Sequence, residues 1–392
     1  MHILHIISTL DPAAGGPAEG VRLLLSQTDS GCTGEVVTLD APDAACLQDL
    51  RFPAHGLGPI RSVYGYHARL YPWLRANRDR FDGFLLNGMW QYCGLATMLA
   101  AGRHTPYMVF AHGMLDPYFK RRFPMKHLKK VLYWYPVEYW VLRRAHRVLF
   151  TTDTERELAE QSFALFRWKP AIVPYGVQVP DLPPTEMMAA FHSTATGLRG
   201  KRFLLFLGRI DPKKGCDMLV QAFCDAAAAD PALHLVMAGP DRDGWSQELQ
   251  HIADRAGCAD RVHWPGMLRG PAKWGAFLAS EAFVLPSHQE NFGIAVAEAL
   301  SCGRPVLLSD QVNLAATIRE DGCTVIEPDT LDGTRRLLEG WIGLSPAERD
   351  TMKGMALLCS RRRFDLGASV RKIRDLFATA GKKRQQTLRD EA

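Results

Sequence analysis

Short apolar, often β-branched runs alternate along the whole chain with longer stretches in which apolar residues recur at helical spacing. A run without polar interruption suits a strand covered on both faces, and the amphipathic stretches suit the helices that cover it. The pattern therefore predicts parallel sheets in an α/β architecture. Strands are predicted at 2–8, 35–39, 83–86, 107–111 and 147–151 in the first half, and at 203–207, 233–238, 261–264, 282–285 and 305–308 in the second. Between the halves, residues 178–200 are polar and carry Pro180, Pro183 and Pro184 before the apolar rhythm restarts at Phe203. This predicts a domain at 1–177, a linker at 178–200 and a second domain at 201–363. A last helical pattern begins at Phe364 and fades near Ala380, with residues 382–392 expected to be disordered.

The chain's 392 residues are enough for two such domains. With 47% apolar and 23% charged residues, neither a disordered chain nor a coiled coil fits. The formal charge of +5 falls short of a dedicated nucleic-acid binder, and no recognition motif accompanies it. Nine cysteines without a C-x-x-C pair signal neither zinc nor a redox couple, so reduced, buried thiols are expected. The opening residues lack a basic leader, and no apolar run reaches the roughly 18 residues that cross a bilayer, so a cytoplasmic protein is expected.

Three segments carry candidate chemistry. Gly15 and Gly16 lie between the first strand and a helix, where backbone N–H groups can face an anion, although such glycines also serve plain turn geometry. Without G-x-G-x-x-G spacing there is no dinucleotide fingerprint. At the second half's first strand end, Gly208-Arg209 is followed by Lys214-Gly215. Ligands of open α/β sheets bind at such ends, and an Arg fork with a Lys point charge suits a diphosphate; two solvated surface cations are the structural alternative. The stretch 284–300 places Glu290 in a loop and Glu298 on the following helix, with the helix N-terminus between them. Two carboxylates around such a terminus suit a polyhydroxylated, phosphorylated ligand, while an N-cap acid and a helix-face ion pair would use the same residues structurally.

Glu290 through Glu298, preceded by Leu285-Pro286-Ser287, Gly208-Arg209 and Lys214-Gly215, resembles glycosyltransferase family 4. The likeness extends to Gly15-Gly16-Pro17, Ala111-His112-Gly113-Met114-Leu115, Tyr175-Gly176-Val177, Ala238-Gly239-Pro240 and Trp264-Pro265-Gly266. The resemblance implies the GT-B fold, two Rossmann-like domains with parallel sheets facing a cleft, and a final helix crossing back onto the first domain. It implies transfer of a hexose from a nucleotide-diphosphate sugar, with a GDP-mannose or UDP-sugar donor, with retention and with no metal or other cofactor. By the same resemblance Arg209 and Lys214 hold the donor diphosphate, Glu298 the ribose and Glu290 the donor sugar. Asn291, Phe292 and Gly293 offer backbone N–H groups, His112 lies beside the transferred sugar, Gly15 and Gly16 approach the phosphates, and Gly266, Met267 and Leu268 flank the base. Relatives often carry a histidine where this chain has Asn87 in Asn87-Gly88-Met89-Trp90. Asn87 does not titrate, so Asn87, Trp90 and Asp116 are expected to shape the acceptor side. A nucleotide-sugar epimerase on the same fold, and a non-catalytic partner that binds nucleotide sugar or glycan, are the competing functions.

Charge is concentrated in residues 118–147. Nine basic residues, among them Lys120, Arg121, Arg122, Lys126, Lys129 and Lys130, stand against Glu138 alone, so this segment carries +8 and the rest of the chain −3. Aromatic and aliphatic residues interleave with them. Each cation near an anionic leaflet contributes about 1 kcal/mol, so the segment is a candidate membrane surface on the inner face of the cell membrane, and a solvated helix face with core aromatics is the alternative. With the family's habits, it points to a saccharide acceptor linked to a polyprenyl lipid, in bacterial envelope or exopolysaccharide synthesis.

Overall fold

The computed structural model describes residues 1–27, 31–60, 62–103, 105–226, 228–241 and 243–390, apart from the side chains of Phe119 and residues 381–390. The chain divides into two compact units, Met1–Gly176 with Leu366–Ala392, and Val177–Asp365.

The first unit is built on seven parallel strands: β1 (His2–Ile6), β2 (Thr33–Thr38), β3 (Ala54–Gly56), β4 (Gly83–Asn87), β5 (Tyr107–Phe110), β6 (Arg147–Phe150) and β7 (Pro170–Ile172). Their order across the sheet is β3-β2-β1-β4-β5-β6-β7. Every residue of β4 is buried, as expected for a central strand covered on both faces. The sequence pattern missed β3 and β7, edge strands of three residues each and only partly buried, which are too short and too wet to show a period.

The final helix belongs to this first unit and runs Leu366–Asp390, past Ala380 and through most of the stretch expected to be disordered; residues 391–392 lie outside the described residues. Phe377 presses its ring so closely on the sheet that a Cβ at Gly83 would lie 2.3 Å from it. The Ser369 hydroxyl donates to the Pro174 carbonyl at 2.8 Å.

The second unit carries six parallel strands, β8 (Arg202–Leu207), β9 (Leu233–Ala238), β10 (Val262–Gly266), β11 (Ala282–Leu285), β12 (Val306–Ser309) and β13 (Thr324–Glu327), in the order β10-β9-β8-β11-β12-β13. The stretch 178–200, expected to be a linker, instead contains the helix Pro184–Thr194, which buries Met187 and Phe191. Its backbone lies so near the helix Gly270–Ala279 that a Cβ at Gly275 would stand 1.9 Å from the Met187 carbonyl oxygen. The prolines at 183 and 184 start this helix and do not merely interrupt the chain. The expectation of nine reduced cysteines is also corrected. The helix Cys216–Ala226 and the turn after Ser246–Arg255 bring Cys224 and Cys258 to a Cα separation of 5.8 Å, and the two form a disulfide.

In each unit the strand order reverses once. The loops after β1 and β4 leave in opposite directions, as do those after β8 and β11. Such a reversal opens a crevice at the carboxyl ends of the strands, where open α/β sheets hold their ligands.

Candidate active site

In the second unit the reversal between β8 and β11 collects the residues singled out in the sequence. After β8 the chain passes Arg209 and makes a tight turn at Pro212–Lys214, capped by the Asp211 carboxylate, which accepts from the Lys213 N–H at 2.9 Å. Gly215 closes the turn with φ +66°, and a Cβ there would meet the Pro286 carbonyl oxygen at 2.2 Å. Only glycine lets this turn lie against the loop that leaves β11. The His288 N–H donates to the Lys213 carbonyl at 2.9 Å, which fastens the two loops together.

That contact delivers Lys214 to Glu290, and the two side chains form a direct ion pair. Burial pushes the Glu290 carboxyl up, but the Lys214 ammonium outweighs it and holds the pKa below its ordinary value. Glu290 is further anchored by its backbone: its N–H donates to the Gln311 carbonyl at 3.1 Å and its carbonyl accepts from Asn313 at 3.0 Å. The helix Ile294–Ser301 follows, entered through Gly293 in the left-handed region. Phe292 turns its ring inward against Phe364, with centroids 5.8 Å apart, so only its backbone faces the helix entrance.

Glu298 is buried on that helix and accepts from the Lys273 ammonium at 2.6 Å. Lys273 had no mark in the sequence. It comes from the helix after β10, and only the packing of that helix beside Ile294–Ser301 makes it a partner of Glu298. Arg209 joins neither pair: its side chain is about half exposed and its nearest carboxylate, Asp211, is 4.0 Å away. In the loop after β10, Met267 is exposed and Leu268 is buried, so of these two side chains Met267 alone can flank a ligand. Gly266 takes a positive φ in that loop.

In the first unit the reversal lies between β1 and β4. Gly15 precedes the helix Gly16–Ser26, and a Cβ at either Gly15 or Gly16 would meet nothing within 4 Å, so this corner is open. Asn87 ends β4. Its side-chain amide donates to the Leu85 carbonyl at 3.0 Å, which turns Oδ1 toward His112 Nε2 at 3.4 Å. On the other side His112 Nδ1 bonds the Tyr175 hydroxyl, and the two rings stack with a 6° interplanar angle.

Burial lowers the His112 pKa to about 3, so the imidazole is neutral near pH 7. With the Tyr175 hydroxyl donating to Nδ1, Nε2 carries the proton, and Asn87 Oδ1 is its acceptor. His112 holds φ +51°, a strained value for a side-chain-bearing residue. The buried Glu155 carboxylate fixes this turn by accepting from the Gly113 N–H at 2.6 Å and from the Thr151 N–H and hydroxyl at 2.6 Å each. Glu155 had no mark in the sequence, where its long-range task was invisible.

The basic segment folds as short helices, Tyr118–Arg122, Pro124–Tyr133 and Tyr139–Arg144, with a π turn at Trp134–Glu138. Phe123, Met125, Leu128, Leu132, Tyr135 and Trp140 are all exposed, while Trp134 is buried. Lys130 departs from the expected membrane-facing set. It turns inward, with its ammonium 4.6 Å above the Trp90 ring, because its place on the helix puts it on the protein-facing side. Trp90 donates its indole N–H to the Met114 carbonyl at 3.2 Å, and Asp116 is buried with one oxygen accepting from the Tyr118 N–H at 2.7 Å. No helix among the described residues is long and apolar enough to cross a membrane. Among the described residues no three His, Cys, Asp or Glu side chains gather in a metal-holding cluster.

Two family models match the chain, a glycosyl transferase 4-like domain over residues 15–176 and glycosyl transferases group 1 over residues 191–346. A D-inositol 3-phosphate glycosyltransferase of Actinosynnema mirum is 31% identical over 227 residues, which is 55% of this chain and 54% of that protein. The chain thus spans about half the length of the curated relatives it matches. The crystal structure of Anabaena HepE in complex with UDP and glucose has a TM-score of 0.77 at 17% identity, over 97% of this chain and 100% of that one. Sucrose-phosphate synthase from Thermosynechococcus elongatus gives 0.74 at 17%, over 98% and 100%. At these identities the two structures share the fold.

Proposed function

Because this chain belongs to glycosyltransferase family 4 and has the GT-B fold, we propose that it moves a hexose from a nucleotide-diphosphate sugar to a hydroxyl of a saccharide acceptor. The observation that carries this proposal is the pair of ion pairs around one helix entrance, Lys214 with Glu290 and Lys273 with Glu298. In the donor complex the diphosphate takes up part of the Lys214 charge, and Arg209, exposed and loosely tied, swings to the same phosphates. Glu298 accepts from the ribose hydroxyls, and Glu290 accepts from a sugar hydroxyl. The name of Anabaena HepE's complex, with UDP and glucose, supports a uridine donor ahead of a guanosine one.

In the transfer the bond from the sugar C1 to the diphosphate oxygen breaks and its electron pair leaves on the diphosphate, while the acceptor oxygen bonds to C1. The acceptor proton passes to the departing diphosphate. Arg209, Lys214 and the N–H groups at the helix entrance supply the charge stabilisation that makes the diphosphate a leaving group without requiring a metal. His112 stays neutral, with its one proton held on Nε2 toward Asn87 Oδ1, and exchanges no proton.

The acceptor we propose is lipid-linked, in envelope or exopolysaccharide assembly, supported by the exposed apolar residues of segment 118–147 among its cations. Thermal stability against UDP, GDP and ADP tests the donor assignment, since a ligand at 100 times its Kd adds about 2.7 kcal/mol. Stabilisation by none of the three overturns it. Product analysis with candidate sugars then separates turnover from binding alone. Co-sedimentation with anionic vesicles at low salt tests the membrane seat, and absence of binding leaves a soluble acceptor.

A further inference from the structure

A cavity of about 220 Å³ lies beneath the basic segment of the first unit. Among the described residues it is lined by Lys120, Lys126 and Lys130, by His127, whose pKa burial and the neighbouring Lys120 and Lys130 hold below its ordinary value, and by one carboxylate, Asp116. Phe123 and Phe163 form apolar walls, and neither the donor assignment nor the His112 cluster uses the space. At about 30 Å³ per water, it has room for a phosphoryl group and part of what it esterifies.

Helix geometry explains why the cations gather there. Within the helix Pro124–Tyr133, Lys126, His127 and Lys130 follow the spacing that puts residues on one side, and Met125, Leu128, Lys129 and Leu132 follow the same spacing on the opposite side. The helix therefore has two faces, an exposed apolar ridge carrying Lys129 and the side that lines the cavity, where Lys126 is exposed and His127 and Lys130 are half-buried. Lys126 lies 4.8 Å over the Phe123 ring, and His127 stacks on Phe163 with centroids 5.0 Å apart. Among the described residues neither Lys120 nor Lys126 has a carboxylate within 4 Å, so their charge is not consumed inside the protein.

Behind Lys130 the π turn buries Glu138 completely, with neither carboxyl oxygen completing a hydrogen bond. Burial raises its pKa to about 8 against the weaker pull of the Trp90 backbone and of Lys130, which keeps it largely protonated at neutral pH. Such a set of ammoniums around a partly open cavity is matched by an anion with several acceptor oxygens.

We propose that this cavity is a phosphoryl subsite that holds the phosphate of a phosphorylated acceptor on Lys120, Lys126 and Lys130, whether that phosphate is carried by a lipid or by a soluble sugar phosphate. The proposal rests on the acceptor-side role given above to the first unit, and it adds the chemical feature by which the acceptor is recognised. Asp116, on the same wall, accepts a hydroxyl of the group that bears the phosphate.

Lysine acetylation read by mass spectrometry on the full chain tests it residue by residue, with Lys129 as the internal control. Inorganic phosphate at ten times its Kd leaves about a tenth of the sites open, so Lys120, Lys126 and Lys130 should react about tenfold more slowly while Lys129 is unchanged. Sodium chloride at matched ionic strength should have no such effect. Equal rates at all four lysines, or equal slowing by chloride, overturn the proposal. Phosphatidylglycerol vesicles form the second arm. Protection of all four lysines supports a lipid-borne phosphate; protection by free phosphate, with Lys129 untouched by vesicles, supports a soluble phosphorylated acceptor and removes the membrane seat. Protection of Lys129 by vesicles with no response to phosphate keeps the membrane seat and overturns the cavity assignment.

Discussion

Lys214 has two tasks, and they can be separated. Its ammonium neutralises Glu290 inside the second unit, where the two side chains are only 13% and 18% exposed. Lys214→Met leaves a carboxylate with its burial cost uncompensated, a change that costs about 3–5 kcal/mol. Lys214→Met combined with Glu290→Gln removes both charges, and replacing a buried ion pair in this way is often close to neutral. The double-mutant cycle should then show a coupling of about 3 kcal/mol. Urea unfolding of the four proteins at pH 7 measures this as a recovery of the midpoint in the double variant.

The pH dependence should differ as well. The folded pKa of Glu290 lies below the ordinary 4.5, so the pair's contribution is complete above that value and is lost as pH falls through the folded pKa. Wild-type stability should therefore fall more steeply in acid than that of the double variant. Sugar transfer should be absent from Lys214→Met and from the stable double variant, because in both the donor diphosphate has lost its lysine. A Lys214→Met protein as stable as wild type, or a double variant that still turns over, would refute the reasoning.

Burial holds His112 at about 3 and His5 at about 4, against an ordinary 6.5; the unfolded chain takes up these protons first, so stability is complete above pH 6.5 and drops by up to about 1.4 kcal/mol per pH unit per histidine below it. Denaturant midpoints between pH 7 and 4.5 check this, and a flat profile contradicts it. A Cβ at Gly20 would stand 2.4 Å from the Tyr175 ring, so Gly20→Ala should cost about 1–3 kcal/mol in thermal unfolding and pull the Tyr175 hydroxyl off His112. Lys273→Met should strand the buried Glu298 charge at a cost of about 3–5 kcal/mol and weaken nucleotide binding measured by calorimetry. Leu128→Asp with Leu132→Asp should abolish sedimentation with anionic vesicles and leave UDP binding unchanged, since both residues lie on the exposed ridge.

Ten strands were legible in the sequence, most clearly those that are runs of apolar side chains buried from both sides, such as Phe203 to Phe206 in β8, where local composition and burial coincide. Arg209, Lys214, Glu290 and Glu298 could be singled out for a related reason: a parallel sheet presents its strand ends to ligands, so the loops and helices that follow a strand are the first places to look for chemistry. What the sequence left open was partnership. Lys214 reaches Glu290 because Gly215 lets two loops touch, Lys273 reaches Glu298 across two helices, and Glu155 fixes the His112 turn from another strand's end. The inward turn of Lys130, the disulfide and the helix within 178–200 belong with them. A periodic pattern is set by neighbours a few residues apart, whereas an ion pair or a cavity depends on the packing of segments far apart in the chain, and only the tertiary structure decides that distance.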